Sequence, residues 1–113
     1  MVMASEQVQQ QLLTQAQVYQ QQMQGIAIQK ETLNVQSLEI STALDELEKA
    51  KGDVYKLTGP LLIKSPKGEV KKDLEEKKEL IGIKIKTLDK SEGKIKSKME
   101  ELREELMKLG AGK

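Results

Sequence analysis

The stretch "VYKLTGPLLIK", residues 54 to 64, decides how the rest of the chain is read. It has the β-branched, aromatic and alternating character of two short strands around a Gly59-Pro60 turn. Val54 and Lys56 alternate with Tyr55 and Leu57, and Leu61 and Ile63 with Leu62 and Lys64, so apolar side chains fall on both faces. A lone two-stranded hairpin is marginal in water and leaves backbone groups unpaired at both edges. Other copies or relatives of the chain would supply the missing cover by continuing the sheet and closing it into a barrel. Val54, Tyr55, Leu57, Gly59, Leu61, Leu62 and Ile63 are therefore expected to form an assembly module.

Both flanks read as helix. Counted in sevens, Leu12, Tyr19, Ile26, Leu33, Ile40 and Leu47 form one unbroken apolar stripe, and Leu74, Ile81, Leu88, Ile95, Leu102 and Leu109 form another. A strict heptad sustained over this length selects a left-handed coiled coil. The intervening seam positions are half polar: Ala16, Met23, Lys30, Ser37 and Leu44, then Lys78, Ile85, Glu92, Met99 and Leu106. The stripes mirror one another about a centre between Pro60 and Leu61, which calls for an antiparallel pair of helices with its turn at the hairpin. The half-heptad offset between them stays open.

The expected organisation is one mainly α domain over 1–113, with helices over 5–51 and 67–109 and the hairpin over 54–64. Helices of this length would reach about 60 to 70 Å at 1.5 Å per residue. Ser5 is placed as the first N-cap, with Glu6 in the first turn, and Gly52 as a left-handed C-cap. Ser65-Pro66 reads as an N-cap followed by proline at the first helical position. Met1 to Ala4 and Gly110 to Lys113 read as frayed tails. Gly25, Gly82 and Gly93 interrupt the helical pattern at roughly 1 kcal/mol each relative to alanine.

Composition excludes much. Histidine and cysteine are absent, which removes the usual bases, nucleophiles and zinc ligands and gives no disulfide framework. Aromatic residues are 2% of the chain and charged residues 33%, which suits a long thin assembly over a conventional core. Carboxylates on exposed helix faces lack the pocket that would shift their pKa values. The fragment "EGKIKS" lacks the earlier glycine of a phosphate loop and lies within the heptads. No enzyme, cofactor or metal site is expected.

A net charge of +1 gives no general drive toward nucleic acid or anionic lipid. The lysines from Lys84 to Lys98 have no interleaved aromatics for base stacking, so the plain reading is a solvated helix face. The glutamine-rich stretch "EQVQQQLLTQAQVYQQQMQ" keeps coiled-coil spacing through Leu12, Ala16, Tyr19 and Met23 and reads as helix. No apolar run spans a bilayer and no targeting segment is evident, so the protein is expected to be cytoplasmic, with no membrane partner.

A long coil, the hairpin text "VYKLTGPLLIK" and a second coil beginning near "VKKDLEEKKELIGIKIKTLDK" together resemble the β class of prefoldin subunits, the archaeal type in particular. The resemblance covers nearly the whole chain, and the single hairpin fits the β class, since α-class subunits carry two. It implies a hexamer of two α-type and four β-type subunits, whose hairpins build a double β-barrel platform bearing six coiled-coil arms. It also implies ATP-independent capture of non-native proteins at the coil tips and their delivery to a group II chaperonin. Val8, Leu12, Leu13, Leu102, Leu106, Met107 and Leu109 are the expected client-binding residues at the tips, where mobile Leu and Met side chains suit apolar surface of no set shape. For those on the stripe, completing the coil is the competing role. Glu100, Glu101, Glu104 and Glu105 are expected to dock on basic residues of the chaperonin. The alternative is a structural coiled-coil scaffold that holds one folded partner.

Overall fold

The computed structural model describes the backbone of residues 2–111 and the side chains of residues 6–110. The element order is α1 (Val2–Lys49), β1 (Val54–Thr58), β2 (Leu61–Ser65) and α2 (Lys67–Ala111). This is the mainly α fold with one hairpin. The chain forms two compact units, one from Met1–Lys30 with Thr87–Lys113 and one from Glu31–Lys86.

The hairpin lies in the second unit. β1 and β2 pair antiparallel, with Tyr55 opposite Lys64, Leu57 opposite Leu62 and Thr58 opposite Leu61, so Gly59 and Pro60 alone make the turn. Gly59 has a φ of 58°. Proline holds its own φ near −65°, which rules out positive φ at both turn positions, so the turn is of the II′ class with glycine first.

Burial along the helices follows the heptad. On α1 the shielded residues include Gln9, Leu12, Ala16, Tyr19, Met23, Ile26, Lys30, Leu33, Ser37, Ile40, Leu44 and Leu47, spaced alternately by three and four. On α2 the seam runs through Val70, Leu74, Ile81, Ile85, Leu88, Glu92, Ile95, Met99, Leu102, Leu106 and Leu109. Lys78, expected on this seam, is exposed instead, because its ammonium stays in water where it lines a charged groove with Leu44, Glu48, Lys71 and Glu75. Among the described residues only Ile26, Leu47 and Leu102 are buried below a tenth of their surface.

Ion pairs cross the seam in each unit. In the first unit the Lys30 ammonium lies 2.6 Å from Asp89 and 3.6 Å from Glu92, its mirror-related seam partner. Glu92 also pairs with Lys96 at 3.5 Å. In the second unit Lys71 pairs with Glu48 at 3.6 Å, at the corresponding separation from the turn.

The helix ends differ from expectation. α1 stops at Lys49, and Gly52 is not left-handed. The terminal carbonyls are satisfied otherwise: Ala50 N–H donates to Leu47 O at 3.2 Å, and the Lys67 ammonium donates to Glu48 O and Ala50 O, each at 3.2 Å. With those acceptors filled, a glycine cap is unnecessary. Ser65 belongs to β2, and its hydroxyl donates to Ile63 O at 3.3 Å. Pro66 takes the N-cap place, its carbonyl accepting from Val70 N–H and Glu69 N–H at 3.1 Å each. Ser5 is interior to α1, since Val2, Met3 and Ala4 are already helical. Gly110 and Ala111 extend α2, while Met1, Gly112 and Lys113 lie outside the described residues.

Two outcomes follow from this geometry. Gly59→Ala puts a Cβ on left-handed backbone and is expected to cost about 1–2 kcal/mol, read as a lowered midpoint in urea unfolding with helicity retained. The hydrogen bond to Asp89, opposed by partial desolvation and reinforced by the Asp89 and Glu92 charges, holds the Lys30 pKa above its ordinary value. A raised lysine contributes its stability in full below the unfolded-state pKa and loses it as pH rises through the folded-state pKa. The thermal stability gap between the parent and Lys30→Met should therefore be constant at neutral pH and close only in the alkaline lysine range.

Candidate functional site

The hairpin presents two unlike faces. Val54, Lys56, Leu61 and Ile63 share one face with Thr58 and Ser65, and Lys56 reaches Asp73 of α2 at 3.3 Å, turning this face toward the start of that helix. Tyr55, Leu57, Leu62 and Lys64 occupy the other, where Lys64 pairs with Asp53 at 3.5 Å. Leu57 and Leu62 are directly opposite one another in the ladder and remain 71% and 66% exposed. Tyr55, Leu61 and Ile63 are also exposed, and Val54 is partly shielded. A directly opposed pair of exposed leucines on a two-stranded ribbon is apolar surface the hairpin has no means of covering.

The residues expected to meet clients lie on the helix segments of the first unit, and the structure sorts them. Val8, Leu13 and Met107 are exposed. Leu12, Leu106 and Leu109 are half-shielded on the seam. Leu102 is 6% exposed, so it serves the coil and offers little surface to a client. Leu106 and Leu102 instead wall a mostly apolar groove of about 570 Å³ together with Ala16, Met23 and Met99, edged by Lys96, Glu100 and Arg103. Glu100, Glu101, Glu104 and Glu105 are all exposed, and Glu100 stands on the rim of this groove.

Three features emerge only in the folded chain. Met23 and Met99 read in the sequence as seam positions, whereas the small Ala16 beside them leaves the seam open as a groove. Lys30 and Glu92 read as weaknesses in the seam, yet their mirrored positions were the signal that they meet. Val18, Ile28, Val35, Leu38, Leu80 and Ile83 are exposed on helix faces away from the seam, as their heptad positions require.

Among the described residues no group of His, Cys, Asp or Glu is arranged to hold a metal ion, and no helix is long and apolar enough to cross a membrane. Nothing in the geometry above gathers reactive groups into an enclosed pocket; its distinguishing surfaces are apolar and open.

Comparison with known proteins bears on the same features. The family model described as prefoldin subunit matches residues 10–112. The prefoldin subunit beta of Archaeoglobus fulgidus is 37% identical over 102 residues, covering 88% of each chain. That of Thermococcus kodakarensis is 36% identical over 93 residues, covering 80% of each. The crystal structure of the prefoldin beta subunit from Thermococcus strain KS-1 superposes with a TM-score of 0.83 at 32% identity, over 88% of this chain and 90% of that one. With the heptad helices, the single hairpin and these relatives in agreement over most of its length, the chain belongs to the prefoldin subunit family, whose members are chaperones.

Proposed function

We propose that this chain is a β-type subunit of an ATP-independent holdase, assembling through its hairpin and capturing non-native proteins near the helix ends remote in sequence from that hairpin. The observation that carries the reading is the exposed Leu57–Leu62 pair with Tyr55 on the outer face of a two-stranded ribbon. Strands from further copies and from an α-type subunit would cover that face and pair the free edges, building a barrel platform in a hexamer of two α-type and four β-type chains. Each helix pair then hangs from the platform as an arm, and a set of arms multiplies weak contacts into useful retention.

Capture rests on Val8, Leu13 and Met107, which are exposed off the seam, assisted by Leu12, Leu106 and Leu109 at its margin. Unfolded chains present apolar segments without set geometry, and flexible Leu and Met side chains adapt to them. Release to a group II chaperonin would use the exposed Glu100, Glu101, Glu104 and Glu105 against basic residues of that partner. The work calls for no nucleotide, cofactor or catalytic residue. The lack of cysteine suits a reducing cytoplasm.

Light scattering of the chain with an α-type partner should give a defined assembly, and making Tyr55, Leu57 and Leu62 polar should dissolve it while helicity survives. A monomer or simple dimer indifferent to those changes would remove the platform. Leu13→Ser with Met107→Ser should keep the assembly but reduce suppression of client aggregation several-fold, tested on unrelated unfolded proteins. Protection of one folded partner alone would favour the scaffold alternative. Charge reversal at the four glutamates should weaken chaperonin binding and flatten its salt dependence.

A further inference from the structure

The hairpin and its flanks are strongly basic in a chain that is nearly neutral. Between residues 49 and 72, seven lysines stand against Asp53 and Glu69 alone, a balance of +5 where the whole chain carries +1. All seven lysines are exposed. Lys56, Lys64 and Lys71 meet Asp73, Asp53 and Glu48 at 3.3, 3.5 and 3.6 Å. The Lys67 ammonium rests on main-chain carbonyls, which leave its charge uncompensated. Lys49, Lys51 and Lys72 make no ion pair among the described residues. With Glu48 and Asp73 counted in, the balance is still +3.

This charge surrounds apolar surface. The ladder sets Lys64 opposite Tyr55 on the face of the exposed Leu57–Leu62 pair, and Lys56 opposite Ile63 on the other face. Each face of the ribbon therefore carries large apolar side chains and a lysine. A further strand joined to either edge lies about 4.8 Å away, inside the roughly 8 Å over which charges act at physiological salt. Were that strand from a second copy of this chain, lysines would crowd lysines, and like charges set across a ladder oppose pairing. Lysine on exposed strands is a general defence against self-association. The apolar pair invites a neighbour, and the lysines reject one kind of neighbour.

We infer that the ribbon selects its neighbour by charge. The partner it fits is an apolar strand pair of a different chain, whose hairpin and flanks carry net negative charge, while close pairing between two copies of this chain is disfavoured. Complementary charge of this sort suppresses wrong partners as much as it strengthens the right one. The inference rests on the assembly reading above and adds to it the chemistry of the partner.

Light scattering with copies of the chain itself as probes tests it. A copy carrying Lys49→Glu, Lys51→Glu and Lys72→Glu shifts the balance over residues 49–72 from +5 to −1, and circular dichroism checks that its helices are intact. The parent alone should stay small at low salt and associate more as salt screens its lysines. Parent mixed with the reversed copy should assemble at about tenfold lower concentration than the parent alone, and salt should weaken the mixture. Reversal at the exposed Lys84, Lys90 and Lys98, equal in charge but outside this segment, should bring no such gain.

Parent self-association that salt does not strengthen, or a mixture no better than the parent alone, overturns selection by charge. An equal gain from the reversal at Lys84, Lys90 and Lys98 overturns its location at the ribbon. Assembly that is lost when Tyr55, Leu57 and Leu62 are made polar but ignores charge overturns this inference and leaves the assembly reading standing. Monomers in every combination and at every salt overturn both. Parent bound to phosphatidylserine vesicles in preference to the reversed copy replaces the acidic strand with an anionic surface and overturns the partner.

Discussion

Each helix offers the other one stripe of side chains, and that single layer is all the burial the helix pairing provides. A bundle of more helices would cover a second face; a pair cannot. Ile26, Leu47 and Leu102 alone fall below a tenth of their surface exposed among the described residues, and the rest of the seam is half-shielded. Other features of the chain answer to this thinness. Register is reinforced by the Lys30 ion pairs with Asp89 and Glu92, and the end of α1 is tied to the start of α2 by the Lys67 ammonium on two main-chain carbonyls. These devices specify alignment more than they add stability, since partly exposed ion pairs are worth little in water.

The same constraint governs the hairpin. Two strands bury neither face, and here both faces carry large apolar side chains, Tyr55, Leu57 and Leu62 on one and Leu61 and Ile63 on the other. Pairing within the chain fills only the inner row of backbone groups. Lys56 with Asp73 orients one face toward α2, which leaves the other facing away with nothing of its own to cover it. A ribbon of this kind makes physical sense as part of a larger sheet, and membership of the prefoldin subunit family gives that sheet a context.

A thin seam also leaves apolar side chains open to solvent. Deep pockets select shape, whereas exposed leucine and methionine on a loosely filled groove select only apolar character. Met23, Met99 and Leu106 line the groove, and Leu13 and Met107 stand exposed beside the same seam. Strong packing there would stabilise the helices at the expense of the surface they expose.

The periodicity of the sequence determined the helices, the seam, the antiparallel order and the hairpin, because each rests on a repeat or a turn dipeptide local enough to read without coordinates. The Gly59-Pro60 turn was legible for the same reason, while its II′ class came with the positive φ of Gly59. The caps were not. Gly52 and Ser65 are residue types suited to capping, but an ammonium from Lys67 and a strand register ending at Ser65 took their roles, and both are set by groups far away in sequence. Tertiary structure alone decided that Lys78 leaves the seam while Lys30 stays in it. The two lysines occupy equivalent heptad positions, yet only Lys30 is met across the seam by carboxylates at bonding distance. It likewise decided that Leu102 is spent on the coil while Met107, five residues on, faces solvent, because the angle each side chain makes with the opposing helix exists only once the helices have paired.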